Sequence, residues 1–368
     1  MLNHVHVPTR ARRRLARMPR RVRLEVWQLE DRLVPALPSA SFPVPVAALT
    51  LPAGALALPF VVLASEGDAP PLLRFNDPLT GARKFPLVPF EPNFLGGVRP
   101  AVGDVTGDGV PDLVVGAGPG GASHVRVFDG ASGVQADGPL GSFVAFEASF
   151  TGGVTVAAAD VNRDGYADVI VAAGSGGGPR VRVLSGADGA VLADFFAADE
   201  SMRLGLSVAA ADMNRDGAAD IITATGAGGA TEVTVFSGPD RARLTNFLAF
   251  GSDFTLGVSL AAADVNRDGV ADILVGAGRG GGPRVRVFDG ESGAVAQDFF
   301  AYDSSFRGGV TVTAADADGD GRPEIVTGAG PGGGSQVRVL DGTTLDEVSS
   351  FAAYPAPFDG TGVVVAGR

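Results

Sequence analysis

Apolar residues fall in short runs of four to seven, rich in valine, isoleucine, alanine or phenylalanine and bounded by glycine or aspartate. Runs of that length and composition, separated by turn-forming residues, predict β-strands. The stretch after residue 257 shows how they are arranged. Val258-Ser-Leu-Ala-Ala-Ala263 leads into an acidic loop and Ala271-Asp-Ile-Leu-Val-Gly276 leaves it. A glycine turn then precedes Arg284-Val-Arg-Val-Phe288, and Ala296-Gln-Asp-Phe-Phe-Ala-Tyr302 closes the unit. Four short strands joined by tight turns have the composition of one propeller blade.

The unit repeats. Its acidic loop occurs as Asp104-Val-Thr-Gly-Asp-Gly-Val-Pro-Asp112, Asp160-Val-Asn-Arg-Asp-Gly-Tyr-Ala-Asp168, Asp212-Met-Asn-Arg-Asp-Gly-Ala-Ala-Asp220, Asp264-Val-Asn-Arg-Asp-Gly-Val-Ala-Asp272 and Asp316-Ala-Asp-Gly-Asp-Gly-Arg-Pro-Glu324, with first residues 56, 52, 52 and 52 positions apart. A fixed period of that size marks a repeat architecture. Before the first loop, Phe60-Val-Val-Leu63, Leu72-Leu-Arg-Phe75 and Phe85 to Phe90 match strands two, three and four with no first strand. After the last full unit, Gly362-Val-Val-Val-Ala366 matches a first strand with nothing behind it. The predicted fold is therefore all-β: a six-bladed β-propeller of four-stranded blades, its ring closed by the C-terminal strand completing the first blade. Closure removes the free strand edges that an open array would have to cap.

Charge divides the chain in two. Residues 1–32 hold nine arginines against three acids, a net of +6, so the remainder carries −18 of the total −12. An acidic body repels nucleic acid and attracts cations, which argues against a nucleic-acid partner. Residues 1–57 read as a basic targeting arm and a Pro/Ala-rich linker, and residues 58–368 as the propeller. Within the arm, Val22, Val26, Leu29 and Leu33 are spaced for one helical face, and a basic amphipathic segment of this kind suits export or surface targeting. No apolar run reaches the roughly 18 residues of a membrane span; the best, Val46 to Ala64, is broken by Pro52 and Pro59. Cysteine is absent and histidine is limited to His4, His6 and His124, which argues against a disulfide framework and histidine-based catalysis.

The acidic loops are the candidate chemistry. Each places oxygen side chains at positions one, three, five and nine: Asp104, Thr106, Asp108 and Asp112; Asp160, Asn162, Asp164 and Asp168; Asp212, Asn214, Asp216 and Asp220; Asp264, Asn266, Asp268 and Asp272; Asp316, Asp318, Asp320 and Glu324. Glycine at position six allows a sharp turn that lets the carbonyl of position seven, Val110, Tyr166, Ala218, Val270 or Arg322, join them. Calcium takes six to eight oxygens at about 2.3–2.6 Å. Two carboxylates about 5 Å apart repel by roughly 3 kcal/mol at an effective dielectric of 20, so a cation is expected in each of the five loops. The alternative is a merely solvated Asp-Gly turn. An EF-hand is excluded by Val115, Val171, Thr223, Val275 and Thr327 at position twelve, where it needs glutamate.

Other signals point to structure. Gly116-Ala-Gly-Pro-Gly-Gly121 and Gly276-Ala-Gly-Arg-Gly-Gly-Gly282 lead into strands, whereas a dinucleotide loop opens a helix. Phe143, Phe146, Phe150, Phe250, Phe254, Phe300, Phe306, Phe351 and Phe358 recur with the blade, which suits packing better than an aromatic sugar platform. Arg180 with Arg182, and Arg284 with Arg286, are expected to pair with nearby aspartates.

The nine-residue loop followed by a strand and Val-Gly-Ala-Gly resembles the FG-GAP, VCBS-like repeats of integrin α-subunit propellers and their bacterial relatives, over residues 59–368. The Phe-Gly pair of the name is replaced by Gly96-Gly97, Gly152-Gly153, Leu204-Gly205, Leu256-Gly257 and Gly308-Gly309. The resemblance implies calcium ligands at loop positions one, three, five and nine. Integrin propellers have seven blades, so a seven-bladed ring is the alternative. Leu29-Glu-Asp-Arg-Leu-Val-Pro-Ala36 also resembles the N-terminal segment of certain bacterial surface proteins. The expectation is a non-catalytic, calcium-stabilised binding or adhesion propeller, secreted or at the cell surface, with a protein or polysaccharide ligand. A carbohydrate-binding module and a polysaccharide lyase-type enzyme are the alternatives.

Overall fold

The computed structural model describes residues 50–367 apart from 55, 57, 58, 68, 69 and 356–359. The amphipathic pattern from Val22 to Leu33, the segment Leu29–Ala36 and Phe358 lie outside the described residues. Where residues are described, the short apolar runs form 24 strands and no α-helix. They are β1 (Val61–Ser65), β2 (Leu73–Asn76), β3 (Arg83–Leu87), β4 (Val98–Gly103), β5 (Asp112–Ala117), β6 (His124–Phe128), β7 (Ser142–Val144), β8 (Val154–Ala159), β9 (Asp168–Ala173), β10 (Arg180–Leu184), β11 (Val191–Phe196) and β12 (Leu206–Ala211). The second half continues with β13 (Asp220–Thr225), β14 (Glu232–Phe236), β15 (Arg243–Leu248), β16 (Val258–Ala263), β17 (Asp272–Ala277), β18 (Arg284–Phe288), β19 (Val295–Phe300), β20 (Val310–Ala315), β21 (Glu324–Ala329), β22 (Gln336–Leu340), β23 (Glu347–Ala352) and β24 (Val363–Ala366).

These strands make six four-stranded sheets. Five run consecutively from β4 to β23, and the sixth has the order β24-β1-β2-β3. The closing pair is antiparallel, with Val62 opposite Ala366 and Leu63 opposite Val365. The ring is thus six-bladed, and the seven-bladed alternative is corrected.

The core lies between the blades. Second strands are buried along their whole length, because both of their faces meet a neighbour. Leu113 and Val115 of β5 join one apolar cluster, and Val114 joins the next. Leu51 and Leu56, in the stretch read as linker, are buried in the same cluster as Leu113. The Leu51 and Gly54 amides bond to the Gly133 and Ala131 carbonyls at 2.5 and 2.8 Å. Phe300, expected in the core, is 52 % exposed, because β19 is a fourth strand at the outer rim of its sheet.

Two rings of polar contacts cross the seams. Around the axis, Thr155, Ser207 and Thr311 hydroxyls donate to the Leu206, Val258 and Val363 carbonyls at 2.9, 2.5 and 2.6 Å. Further out, third-strand arginines reach back to the preceding blade. Arg74 bonds the Ala353 carbonyl at 3.0 Å, Arg126 that of Pro89 at 2.6 Å, and Arg286 that of Ala249 at 3.0 Å. Arg182 and Arg338 bond Ala145 and Ala301 in the same way. Each bonded carbonyl precedes an aromatic residue, and four of the guanidinium groups lie 4.9–5.7 Å from that ring: Arg74 on Tyr354, Arg126 on Phe90, Arg182 on Phe146 and Arg286 on Phe250. The expected carboxylate pairs form as well, Asp194 with Arg180 and Arg182, and Asp298 with Arg284 and Arg286, at 2.6–2.9 Å.

One seam lacks both partners. Thr234 stands where the arginine would be and Ala198 where the aromatic would be. A cation–aromatic contact is worth about 0.5–2 kcal/mol and exists only when both partners are present. Ala198→Phe and Thr234→Arg should therefore couple favourably by about 1 kcal/mol in a double-mutant cycle followed by urea unfolding. Additive effects of the two substitutions would contradict the seam assignment.

Candidate metal centres

The five acidic loops join first strands to second strands, for example β4 to β5, so they lie at one end of the ring. Their shape is held by the carboxylate at position one. Asp104 accepts the Gly107, Asp108 and Gly109 amides at 2.8, 3.1 and 2.9 Å. Asp160 accepts those of Arg163, Asp164 and Gly165, and Asp212 those of Asp216 and Gly217. Asp264 and Asp316 accept from Gly269 and Gly321. The position-five carboxylates, Asp108, Asp164, Asp216, Asp268 and Asp320, each take the amide of position seven at 2.7–2.9 Å. Position six is left-handed in all five loops, with φ between 79° and 89°, which is why glycine recurs there.

Position nine is different. Asp112, Asp168, Asp220, Asp272 and Glu324 are at most 4 % exposed. The first four accept an amide from the opposite turn, from Gly130, Gly186, Gly238 and Gly290. Burial pushes Asp112, Asp168 and Asp272 up to about 6, against backbone hydrogen bonds that pull them down. Asp220 and Glu324 are raised for the same reason.

Three carboxylates converge in two of the loops. Asp316, Asp318 and Glu324 place oxygens within 4.8 Å of one another, and so do Asp268, Asp272 and Asp289. Oxygens bound to one calcium at about 2.3–2.6 Å lie no further apart than about twice that length, so both groups fit a hard cation. Asp264 and Asp320 stand outside these triads, and loops one to three bring no acidic triad together among the described residues. Loops one to three carry Thr106, Asn162 and Asn214 at position three, where the fifth carries Asp318. Among the position-seven residues, Ala218 and Val270 are buried, while Arg322 is exposed.

Asp289 was not among the sequence candidates. It begins the turn between β18 and β19, where it accepts the Asn266 amide at 3.0 Å. A periodic signal marks it, since Asp129, Ser185, Ser237, Asp289 and Asp341 each fall 25 positions after the first residue of a loop. Neighbouring loops also touch. Arg163 pairs with Asp216 at 2.7 Å, Arg215 donates to the Asp268 carbonyl at 2.9 Å and Arg267 to that of Asp320.

The FG-GAP-like repeat family matches residues 104–171, 160–223 and 264–327, together half of the chain. The chain belongs to the FG-GAP-like repeat family. Two curated relatives of this FG-GAP-like propeller are phosphatidylinositol-glycan-specific phospholipases D. The Homo sapiens protein is 28% identical over 195 residues, covering 40% of this chain and 21% of its own length. The Bos taurus protein is 28% identical over 176 residues, covering 38% and 20%. The match spans about a fifth of these relatives. Among solved structures, a protein of unknown function from Bacteroides caccae is 12% identical with a TM-score of 0.49, covering 84% of this chain and 98% of that one. The V. cholerae biofilm matrix protein Bap1 is 20% identical with a TM-score of 0.37, covering 78% and 39%.

The raised carboxyls set a pH dependence. Without metal, the folded FG-GAP-like propeller holds protons on Asp112, Asp168 and Asp272 up to about pH 6, whereas the unfolded chain releases them near the ordinary 3.8. Their contribution is full below about pH 4 and is lost as pH rises through about 6. In chelator, the unfolding free energy should fall between pH 5 and pH 7, and Asp272→Asn should flatten that fall. A free energy that rises over this interval would show that the three carboxyls are not desolvated.

Proposed function

We propose that this protein is a non-catalytic, calcium-stabilised binding propeller that works outside the cell. The observation that carries the reading is the recurrence of one loop geometry five times, each copy ending in a buried carboxylate. A buried charge without a partner is costly, and a divalent ion bound at the neighbouring oxygens supplies the compensating charge. When bound, the ion would neutralise the loop carboxylates; Asp316, Asp318 and Glu324, and Asp268, Asp272 and Asp289, would hold it. Extracellular modules bind calcium at about 0.1–1 mM, a range that keeps such sites filled outside cells.

Several features favour binding over catalysis. Among the described residues, four groups of the kinds that move protons in enzymes, His124, Lys84, Tyr302 and Tyr354, bond within the scaffold. His124 bonds Ser142, and Lys84 bonds the Pro59 carbonyl at 2.6 Å. Tyr302 and Tyr354 bond carbonyls of the following blade at 2.9–3.2 Å. The phospholipase activity in the names of the curated relatives is that of whole proteins, of which the match covers a fifth. The ligand is a protein or polysaccharide met at the propeller surface.

Filling a site at ten times its dissociation constant stabilises a protein by about 1.4 kcal/mol. Five such sites should raise the melting midpoint by on the order of 10 °C. Melting in calcium and in chelator, with metal counted per chain, checks this; an identical midpoint in both would refute the calcium reading.

A further inference from the structure

Three charged residues interrupt the repeat, and they meet at one place. Glu66 occupies the hairpin position held by Gly118, Gly174, Gly226, Gly278 and Gly330 in the other blades. Arg99 takes the first-strand position of Thr155, Ser207, Ser259 and Thr311, and Arg279 that of Pro119, Ser175, Ala227 and Pro331. All three line the axial channel, of about 460 Å³, and the wider cavity of about 670 Å³ at its mouth. This mouth is at the end of the ring away from the acidic loops, since β4 runs from Arg99 toward Asp104.

The position of Glu66 is barred to side chains elsewhere. At the five equivalent glycines a Cβ would meet a carbonyl oxygen of the preceding turn at 2.0–2.4 Å. In the closing blade Glu66 holds that position, and Gly362 leaves room for its carboxyl, which a Cβ at Gly362 would crowd. Neither guanidinium has a carboxylate within ion-pair distance among the described residues; the hydrogen bond of Arg99 goes to the carbonyl of its neighbour Val98, at 3.1 Å. Other arginines at this end are engaged, as Arg203 is by the Glu200 and Met202 carbonyls at 2.6 Å. Burial holds Glu66 above its ordinary value, against the pull of Arg99 and Arg279. A cavity of several hundred Å³ with convergent polar groups is the size of a small-molecule site.

We propose that the channel mouth binds a small carboxylate that also carries hydroxyl groups, Arg99 and Arg279 holding the carboxylate and Glu66 accepting from the hydroxyls. Guanidinium forks match carboxylate oxygens in pairs, and such charge-assisted bonds are the strong ones. Glu66 leaves the site one net positive charge in an otherwise acidic molecule, so it rejects cations and favours a singly charged anion. The inference rests on the reading of the ring as a binding scaffold, and it does not require calcium.

The test is titration calorimetry of the full chain with D-glucuronate, D-glucose and inorganic phosphate, at saturating calcium. Glucuronate should bind and glucose should not, and phosphate, lacking the hydroxyl pattern, should bind more weakly than glucuronate. Arg279→Ala and Arg99→Thr should each weaken glucuronate by about tenfold or more, and Glu66→Gly should also weaken it. Arg203→Ala should leave it unchanged. Alanine, threonine and glycine are what other blades carry at these positions, so the fold should survive; if Arg99→Thr does not fold, Arg279→Ala in its exposed hairpin decides alone. No heat with glucuronate, equal binding of glucose or phosphate, or unchanged affinity in Arg279→Ala would overturn the proposal. Glucuronate binding in a protein whose melting ignores chelator would overturn the calcium reading and leave this one standing. The reverse result would do the opposite.

Discussion

A sheet that is apolar on both faces has no stable surface to show to water. That constraint governs this molecule. The second strand of each continuous blade is buried from end to end, and alternate residues such as Leu113 and Val114 serve different clusters. Such a sheet needs a neighbour on each side. An open row of six would leave two faces bare, whereas a ring leaves none. The cost is that the first and last segments of the chain must share a blade, which is why β24 pairs with β1. Tyr354 fastens the closing blade to the one before it, donating to the Leu63 and Leu72 carbonyls at 3.0 and 3.2 Å.

Much of this was legible in the chain because it is encoded locally and repeated. The apolar runs fix the strands, the loop spacing fixes the period, and the orphan runs at Phe60 and Gly362 disclose closure before any tertiary contact is known. Contacts between blades were not legible in the same way. The arginines alternating with valines in β10 and β18 foretold their aspartate partners on the adjacent strand, since cross-strand neighbours follow from pairing. Their second bond, to a carbonyl 37 residues earlier, depends on how one sheet stacks on another. Asp289 escaped for the same reason, entering its cluster from a turn in another part of the blade. Phe300 misled because periodicity marks a residue as structural without saying whether its strand is inner or outer.

The acidic loops show two kinds of electrostatic accommodation side by side. Position-one and position-five carboxylates are satisfied by the amides of their own loop, so the loop is shaped before any ion arrives. The position-nine carboxylate is enclosed instead, and two amides relieve only part of its desolvation. Between loops, Arg163, Arg215 and Arg267 lean on the next loop from left-handed backbone positions, with φ of 66°, 59° and 63°. That conformation costs an L-residue about 1 kcal/mol or more, and the contacts made with the neighbouring loop offset it. Loop one has Gly107 at that position, and the Tyr166 ring occupies the space where a side chain would go. Loops one to four are therefore each shaped partly by the loop that follows.

Departures from a repeat are informative when they are sorted by what surrounds them. The aromatic and the arginine are absent together, replaced by Ala198 and Thr234, because they belong to one packed seam, where either partner alone would leave a gap or an unmatched charge. Glu66, Arg99 and Arg279 come from three different blades and fill no seam. They reach the axis, the one region that no neighbouring sheet covers, and packing therefore places no demand on them. Glu66 is further restricted to the closing blade, because in the five continuous blades the backbone of the preceding turn occupies the place its Cβ would need. Joining the two ends of the chain thus does more than complete the ring. It creates the one hairpin that carries a side chain at this position, and the chain has placed there a carboxyl that feels the charges of Arg99 and Arg279.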